Sequence, residues 1–407
     1  MKRLFLATFL VCLVLTCTAQ RKAAQRKAID QAETFIKSGK NLDKAEKLMT
    51  DLLRDSTNRL NHKVWLTLID AIKLQYDQGN QKLYLKQQYD TAALFKNAKK
   101  LLLCCEQFDS LETTPDKKGK VRVKYRARHA AMLNAMRPNI YNGGAFYLRK
   151  LDFNNSWAFY DAYLDCAQQP LFTDYSYDRT DTLQVKAAYR ALYCGYRLND
   201  LEKTMKYFDI ACRDTAHGEN IMQYVAERQL QHGDTAAYVE SLKRGFQIAP
   251  RNTFFFPRLV DYYNMRQQTD SASIFIDNAL RDDSTNYLAV FAKSTALLNA
   301  QQYDSCLVIT RKLLQINDSM PEAYCNMGLA YYNQALQLEA SQQHLKRRTK
   351  KQRQAVNELF EKSRPYMEIF RQKAPEQQDK WLPALYTIYL NLNMGKEFEE
   401  IDKTIGK

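Results

Sequence analysis

Apolar residues in the C-terminal half of the chain recur every three to four positions, in segments separated by short polar turns. This spacing predicts a succession of amphipathic α-helices. The succession repeats, because Pro250, Ser284 and Asp318 lie 34 residues apart. The same interval separates a set of small or apolar residues, namely Ala211, Gly245, Ala279 and Leu313. A period of 34 residues with two helices per unit predicts a solenoid of stacked helix pairs.

Predicted helix pairs cover most of the chain. Regular pairs lie at about 183–213, 219–247, 253–281 and 287–316, and further pairs begin at Pro321 and near Trp381. The N-terminal pattern is looser. It predicts helices over 22–37, stopped by Gly39, over a segment ending near Gly79, over 91–103, over 121–136, and from the residue after Pro138, with a loop over 112–120.

Two stretches depart from this pattern. Residues 168–182 form either an ordered aromatic loop or a boundary between two sub-solenoids. Residues 337–354 contain no Gly or Pro, so we expect them to extend both helices of the repeat that begins at Pro321. This insertion is either a solvated helical hairpin or a contact for an anionic surface. The candidate contacts are its basic residues, Lys346, Arg347, Arg348, Lys350, Lys351 and Arg353.

The segment PEAYCNMGLAYY, Pro321 to Tyr332, resembles the first helix of a tetratricopeptide repeat. The resemblance covers about 183–332 and is looser over 22–170 and 355–403, and Lys293-Ser294 stands where the family usually has Leu-Gly. It implies an all-α fold, a right-handed superhelical solenoid of antiparallel helix pairs. It also implies a groove, lined by first helices, that binds a peptide or a partner helix. Candidate groove residues are Arg190, Tyr193, Arg197, Gln223, Glu227, Tyr262, Arg266, Asn326 and Asn333.

The N-terminus has the features of a secretory signal peptide. Lys2 and Arg3 precede a short apolar run, and Cys17-Thr18-Ala19 offers small residues before a cut at Gln20. A lipidated Cys17 is the alternative, which the preceding Thr16 disfavours. We therefore predict a signal peptide over 1–19, degenerate repeats over 20–182, and a solenoid over 183–407. The predicted location is the periplasm or the outer membrane.

Composition and charge add three constraints. The 407-residue chain has few Gly and Pro, as expected of stacked helices, and a formal charge of +15 that most simply reflects exposed Lys and Arg. An odd number of cysteines remains after the predicted cleavage, so we expect mostly free thiols. The five histidines have no ligand spacing and no hydrolase or phosphate-binding motif occurs, so we expect no catalysis, no cofactor and no metal.

Five triplets of Asp, a hydroxyl residue and a small residue begin at Asp90, Asp214, Asp234, Asp270 and Asp304. The simpler interpretation is helix capping, because Asp and Ser or Thr accept the unpaired N–H groups of a helix start. The alternative is that the triplets resemble the O-glycosylation sequon of exported Bacteroidetes proteins. The two interpretations are compatible, since a capping residue can be exposed.

The leading functional hypothesis is an exported scaffold or adaptor, Bacteroidetes-like, that mediates protein–protein interactions in the bacterial envelope. The alternative is a glycan- or surface-binding protein associated with the outer membrane, because helical repeats with exposed Tyr and Trp resemble outer-membrane starch-binding proteins. A nucleic-acid partner, which the charge of +15 would allow, is not expected, since it requires the N-terminal segment not to direct export.

Overall fold

The computed structural model describes the backbone of residues 2–115, 119–342 and 349–405, and the side chains from residue 20 to residue 403 within those ranges. Every regular element in these ranges is a helix, so the predicted all-α solenoid of antiparallel helix pairs is confirmed. Packing divides the chain into two compact units, residues 1–232 and 233–407. The predicted repeat ranges 20–182 and 183–407 stay a prediction.

The first unit contains eleven α-helices within its described residues, and consecutive helices pack together from α1 to α6. They are α1 (Lys2–Ser38), α2 (Leu42–Arg54), α3 (His62–Tyr84), α4 (Thr91–Glu112), α5 (Arg126–Arg149), α6 (Phe153–Asp165), α7 (Tyr177–Thr180), α8 (Gln184–Arg197), α9 (Leu201–Met205), α10 (Phe208–Ala211) and α11 (Gly218–Gln231). The side chains of the predicted signal peptide, residues 1–19, lie outside the described residues.

The second unit continues the same arrangement over its described residues. Its helices are α12 (Thr235–Ile248), α13 (Phe255–Met265), α14 (Thr269–Asp282), α15 (Tyr287–Asn299), α16 (Tyr303–Ile316), α17 (Pro321–Ser341), α18 (Lys350–Lys373), α19 (Gln378–Asn391) and α20 (Gly395–Ile405). Consecutive helices pack together from α12 to α20.

The 34-residue register is visible in the ends of the second helices. Helices α12, α14 and α16 begin at residues 235, 269 and 303 and end at 248, 282 and 316. At each end the next residue donates its N–H to a carbonyl four positions back, which belongs to Gly245, Ala279 or Leu313. The positions predicted to repeat therefore occupy one structural place.

The turn inside each pair repeats as well. Gly233, Gln267 and Gln301 adopt left-handed backbone conformations with φ of 79°, 58° and 60°. After the two glutamines, the next N–H returns to a carbonyl five residues back, at Tyr263 and Leu297. This is a Schellman cap, which satisfies the last carbonyls of the first helix and turns the chain toward the second.

Small residues let neighbouring helices approach each other. A Cβ atom added to Gly245 would lie 2.2 Å from the ring of Phe255, and one added to Gly328 would lie 2.4 Å from the sulfur of Met367. Gly143 and Gly144 of α5 meet the rings of Phe159 and Tyr160 of α6 in the same way. A side chain at any of these four positions would therefore force the helices apart.

The helix ends predicted at Gly79 and Pro138 were wrong. Gly79 lies inside α3, where it makes room for the ring of Tyr89, and Pro138 lies inside α5. A proline in a helix interior costs about 3 kcal/mol. Met136 and Ile140 are buried on either side of Pro138. Because burying each of them contributes about 1.5–3 kcal/mol, packing on both sides outweighs the local penalty.

Helix α4 extends to Glu112, beyond the predicted Leu103. Residues 168–182 are ordered, since most of them lie in short 3₁₀ helices and in α7. The guanidinium of Arg137 lies 3.8 Å from the ring centroids of both Tyr163 and Tyr177, and its Nη1 lies 2.7 Å from the Asp181 carboxylate. Through these contacts the buried Arg137 holds residues 168–182 against α5. This agrees with the interpretation of the segment as an ordered aromatic loop.

The insertion lengthens its repeat, as predicted. Helix α17 has 21 residues and α18 has 24, whereas α14 and α16 have 14 each. Thr349 begins α18 with a capping box that includes Gln352. Lys346, Arg347 and Arg348 lie outside the described residues.

The capping interpretation of the Asp triplets holds for three of the five. Asp90, Asp214 and Asp234 accept hydrogen bonds from backbone N–H groups two or three residues further on. Asp270 and Asp304 instead lie within the first turns of α14 and α16, whose N-cap residues are Gln268 and Gln302 and make no side-chain cap bond. Capping was therefore wrong for these two, which favour the helix start through their charge near its positive end.

The seven cysteines whose side chains are described are free thiols, as expected. Burial raises the pKa of Cys104 and of Cys166 to about 12 and that of Cys194 to about 11. These thiols therefore stay protonated at physiological pH and act as small apolar residues.

The backbones of α8 and α9 are closest at Gly195. A Cβ atom there would lie 2.4 Å from the backbone nitrogen of Thr204, which cannot move aside without shifting α9. We expect Gly195→Ala to lower the free energy of unfolding by about 1–3 kcal/mol in chemical denaturation. Gly395→Ala is the control, because no atom lies within 4 Å of the added Cβ. Equal stability of the two variants would contradict the close approach.

Glu106 on α4 supplies a second prediction. Its Oε1 atom is buried without a hydrogen-bond partner in the described structure, and burial, then the Asp165 carboxylate, raises its pKa from 4.5 to about 8. Between these values the folded chain keeps a proton that the unfolded chain releases, so this group makes stability fall as pH rises. Glu106→Gln removes that titration.

We therefore expect the Glu106→Gln variant to lose less stability than the wild type between about pH 4.5 and pH 8, measured by urea denaturation across that interval. Glu202→Gln, which removes an exposed carboxyl on α9, controls for the change in net charge. An unchanged pH slope in the Glu106 variant would show that Glu106 ionises normally in the folded chain.

Candidate functional site

Half-buried aromatic side chains form a group centred on the adjacent helices α8 and α11, with one ring from the start of α6 and one from the residue before α11. The group, here the aromatic cluster, consists of Phe153, Tyr189, Tyr193, Tyr196, His217 and Tyr224. Three of its tyrosines are spaced three and four residues apart along α8, which places them on one side of the helix. Tyr224 supplies the matching ring from α11.

Ring contacts connect the members of the aromatic cluster. Tyr224 stacks on Tyr196 with ring centroids 4.4 Å apart and lies 5.6 Å from the ring of Tyr193. Tyr193 in turn lies 6.1 Å from Phe153 at the start of α6. These separations are within the range at which aromatic pairs attract each other. The rings are therefore held in place before any ligand binds.

Hydrogen bonds to polar side chains hold the tyrosine hydroxyls at the edges of the aromatic cluster. The Tyr196 hydroxyl donates to the Glu227 carboxylate over 2.5 Å, and the Gln223 amide donates to the same carboxylate over 3.1 Å. Arg197 donates to the Tyr193 hydroxyl over 2.7 Å and covers the Phe153 ring at 4.5 Å. Arg197 itself is exposed, so it presents a cation beside the rings.

The far end of the cluster is formed by a stacked pair. His217 lies 4.3 Å from the Tyr189 ring, and its Nδ1 atom lies 2.9 Å from the Asp214 carboxylate that caps the preceding turn. The loop before α11 is thereby anchored to α8.

Tyr189, Tyr196 and Tyr224 are neutral phenols at physiological pH. Burial, followed by the neighbouring Tyr224, raises the pKa of Tyr189 to about 12. Burial also raises the pKa of Tyr224, and the hydrogen bond to Glu227 is the main cause that raises the pKa of Tyr196. Each hydroxyl can therefore donate and accept hydrogen bonds.

Four of the nine candidate groove residues come together at this cluster: Tyr193, Arg197, Gln223 and Glu227. Arg190, on the same helix, instead donates to the Tyr160 hydroxyl over 3.0 Å and lies 5.4 Å from the Tyr141 ring, so it faces the interior of the unit.

The other four candidates belong to the second unit. Arg266 covers the ring of Tyr262 at 4.8 Å, at the end of α13. Asn326 is buried, and its amide donates to the hydroxyls of Ser294 and Thr295 over 3.0 Å each. Asn333 is half-buried on α17. The Asn326 amide is thus engaged inside the helix stack.

The basic residues of the insertion whose side chains are described are exposed. Lys350, Lys351 and Arg353 lie in the first turn of α18, where cations face the positive end of the helix dipole. This arrangement slightly disfavours the helix start. Whether these side chains contact an anionic surface stays a prediction.

The sequence candidates omitted most of the rings. Tyr189, Tyr196, Tyr224 and Phe153 were absent from the candidate set. Tyr189 and Tyr196 could have been found in the segment AYRALYCGYR. The tyrosines at positions 189, 193 and 196 have the spacing of one helix face. The pairing with Tyr224 depends on how α8 and α11 pack, which the pattern does not specify.

Among the described residues, no group of three or more His, Cys, Asp or Glu side chains is arranged to hold a metal ion. None of the helices, over the residues described, is both long enough and apolar enough to cross a membrane.

Solved structures of helical-repeat proteins are similar to this chain. The C-terminal part of a TPR repeat-containing protein from Cytophaga hutchinsonii is 11% identical, with 65% of this chain and 93% of that chain covered and a TM-score of 0.41. Human IFIT1, solved as a dimer with m7Gppp-AAAA, is 13% identical, with 86% and 77% covered and a TM-score of 0.36. Yeast Tom70 is 10% identical, with 94% and 95% covered and a TM-score of 0.28.

No protein-family model matches the chain, and no curated protein sequence matches it.

Proposed function

We propose that this protein is an exported scaffold that holds a protein partner in the bacterial envelope, and that the aromatic cluster on α8 and α11 is a principal contact. The observation that carries the proposal is the set of half-exposed tyrosine rings, ordered by one another and by Arg197 and Glu227. Tyrosine and arginine are the residues that most often dominate the energy of protein interfaces.

The order within the cluster favours binding. A rotamer-rich side chain loses about 0.5–1.5 kcal/mol when an interface immobilises it. In the aromatic cluster the Tyr196 and Tyr193 hydroxyls are already bonded to Glu227 and Arg197, so much of that loss is incurred on folding. The rings offer apolar faces and the hydroxyls offer hydrogen bonds, a combination that suits a polypeptide surface.

The envelope location rests on the N-terminal sequence. Lys2 and Arg3, the apolar run and the small residues before Gln20 have the order of a cleavable signal peptide. A scaffold role is compatible with export, because it needs neither a diffusible cofactor nor a metal. The location and the partner are therefore tested separately.

The interface prediction concerns Tyr193 and Tyr224. We expect the double variant Tyr193→Ala and Tyr224→Ala to reduce recovery of the partner at least tenfold, since loss of a central ring typically costs about 2 kcal/mol or more. The measurement is crosslinking in intact cells of the native host, followed by quantitative mass spectrometry of peptides joined to α8 and α11.

Tyr84→Ala is the matched control, because Tyr84 is an 86% exposed ring at the end of α3, outside the cluster. Equal recovery by the double variant and the wild type, or crosslinks that avoid α8 and α11, would refute the proposed interface. Cluster-dependent retention on immobilised glycans, without any protein partner, would support the glycan-binding alternative instead.

The export prediction concerns the mature N-terminus. We expect intact-mass analysis of the protein from its host to show a chain that begins at Gln20, free or cyclised, in the periplasmic or outer-membrane fraction. A lipid on Cys17 would indicate a lipoprotein. An uncleaved chain in the cytosol would refute export.

A further inference from the structure

The second unit contains a pocket of about 600 Å³ between α18, α19 and α20. This volume is within the roughly 300–1,000 Å³ of ligand sites in proteins. Its lining surface is about equally polar and apolar and consists of Glu368, Arg371, Gln372, Pro375, Gln378, Trp381, Tyr389 and Glu400. None of these residues belongs to the candidate groove or to the basic insertion.

Contacts across the pocket hold its polar groups in defined places. Arg371 donates to the Glu400 carboxylate over 2.6 Å and lies 5.2 Å from the ring of Trp381. The Tyr389 hydroxyl donates to Oε1 of Glu368 over 3.1 Å. Trp381 and Tyr389 are 4% and 2% exposed, so they form a rigid floor beneath the charged groups.

Acidic groups outnumber basic ones around this floor. Glu368 and Glu400 line the pocket with Arg371 as the only basic lining residue among those described, and Glu397 is close enough to Tyr389 to raise the pKa of that phenol further, after burial and Glu368. An ionised carboxylate offers about four acceptor sites, so one bond from Tyr389 does not saturate Glu368.

The wall supplied by α20 strengthens this charge. Its sequence GKEFEEIDKTI contains four acidic and two basic residues, although the whole chain has a formal charge of +15. A concave site whose surroundings carry a net charge attracts ligands of the opposite sign. The pocket should therefore attract cations, whereas the net positive charge of the chain as a whole attracts anions.

We propose that this pocket binds a lysine or arginine side chain of a polypeptide partner, with Glu368 and Glu400 as acceptors and the Trp381–Tyr389 floor against the aliphatic part. The Arg371–Glu400 pair does not prevent this. Glu400 is 63% exposed, and pairs of that kind contribute about 0–1 kcal/mol, so an incoming cation can share its carboxylate. The proposal stands whether or not the aromatic cluster binds a partner.

The test uses the full chain and a short fluorescein-labelled peptide of alternating glycine and arginine, followed by fluorescence anisotropy at low salt. We expect this peptide to bind, with an affinity that falls as salt is added, and an otherwise identical glycine–glutamate peptide to bind more weakly. The net positive chain as a whole would give the opposite preference. Preference for the acidic peptide would overturn the proposal.

Two double variants locate the binding. Glu368→Gln with Glu400→Gln should lower the affinity for the basic peptide about tenfold, because two acceptor charges are lost from one site. Glu240→Gln with Asp261→Asn removes the same charge from exposed positions on α12 and α13 and should change the affinity less than about twofold. Equal losses in the two double variants would overturn the site.

Peptide that carries a photoreactive group provides a readout independent of these variants. Crosslinks should map to α18, α19 and α20 in the unmodified chain, and a map confined to other helices would overturn the proposal. Retained circular dichroism of the pocket variant shows that its loss of binding is not a loss of fold. If that variant unfolds, the single variant Glu400→Gln replaces it, since Glu400 is mostly exposed.

Discussion

Close packing of one helix against the next, repeated at fixed positions, is the constraint on which each unit depends. The constraint acts through small residues such as Gly195, Gly245 and Gly328, where an added methyl group would meet backbone or side-chain atoms well inside contact distance. Helices such as α13 and α14, with 11 and 14 residues, are amphipathic and marginal when isolated, so burial against their neighbours supplies most of their stability. The left-handed turn residues then decide the angle at which the second helix returns.

The 34-residue register could be predicted because small or apolar residues recur at that interval in the sequence. Gly245, Ala279 and Leu313 sit where α12, α14 and α16 end, and each carbonyl accepts the same capping bond. The turn positions were harder to foresee. Gly233 has the residue type that favours a left-handed conformation, whereas Gln267 and Gln301 adopt it because the Schellman bonds and the packing of two helices require it.

Gly79 and Pro138 show where local propensity misleads. Both residues usually end helices, and both lie inside helices here because tertiary contacts outweigh the local cost. The candidate groove residues also show that helical spacing alone does not determine where a side chain lies. Helical spacing placed Tyr193 and Arg197 on one face of α8, but the burial of Asn326 and the inward course of Arg190 depend on neighbouring helices that a single helical period cannot reveal.

In a solenoid, the residues that form the packed core are different from the residues that can bind a ligand. In the helix pairs the core takes small and apolar positions, and the remaining positions can vary without changing the stack. On α8 these freer positions carry tyrosines and Arg197, whereas on α18 and α20 they carry Glu368, Glu397 and Glu400. One scaffold can therefore present an aromatic surface on one unit and an acidic pocket on the other. A net charge of +15 describes neither surface, so recognition by such a chain must be argued from each local set of side chains.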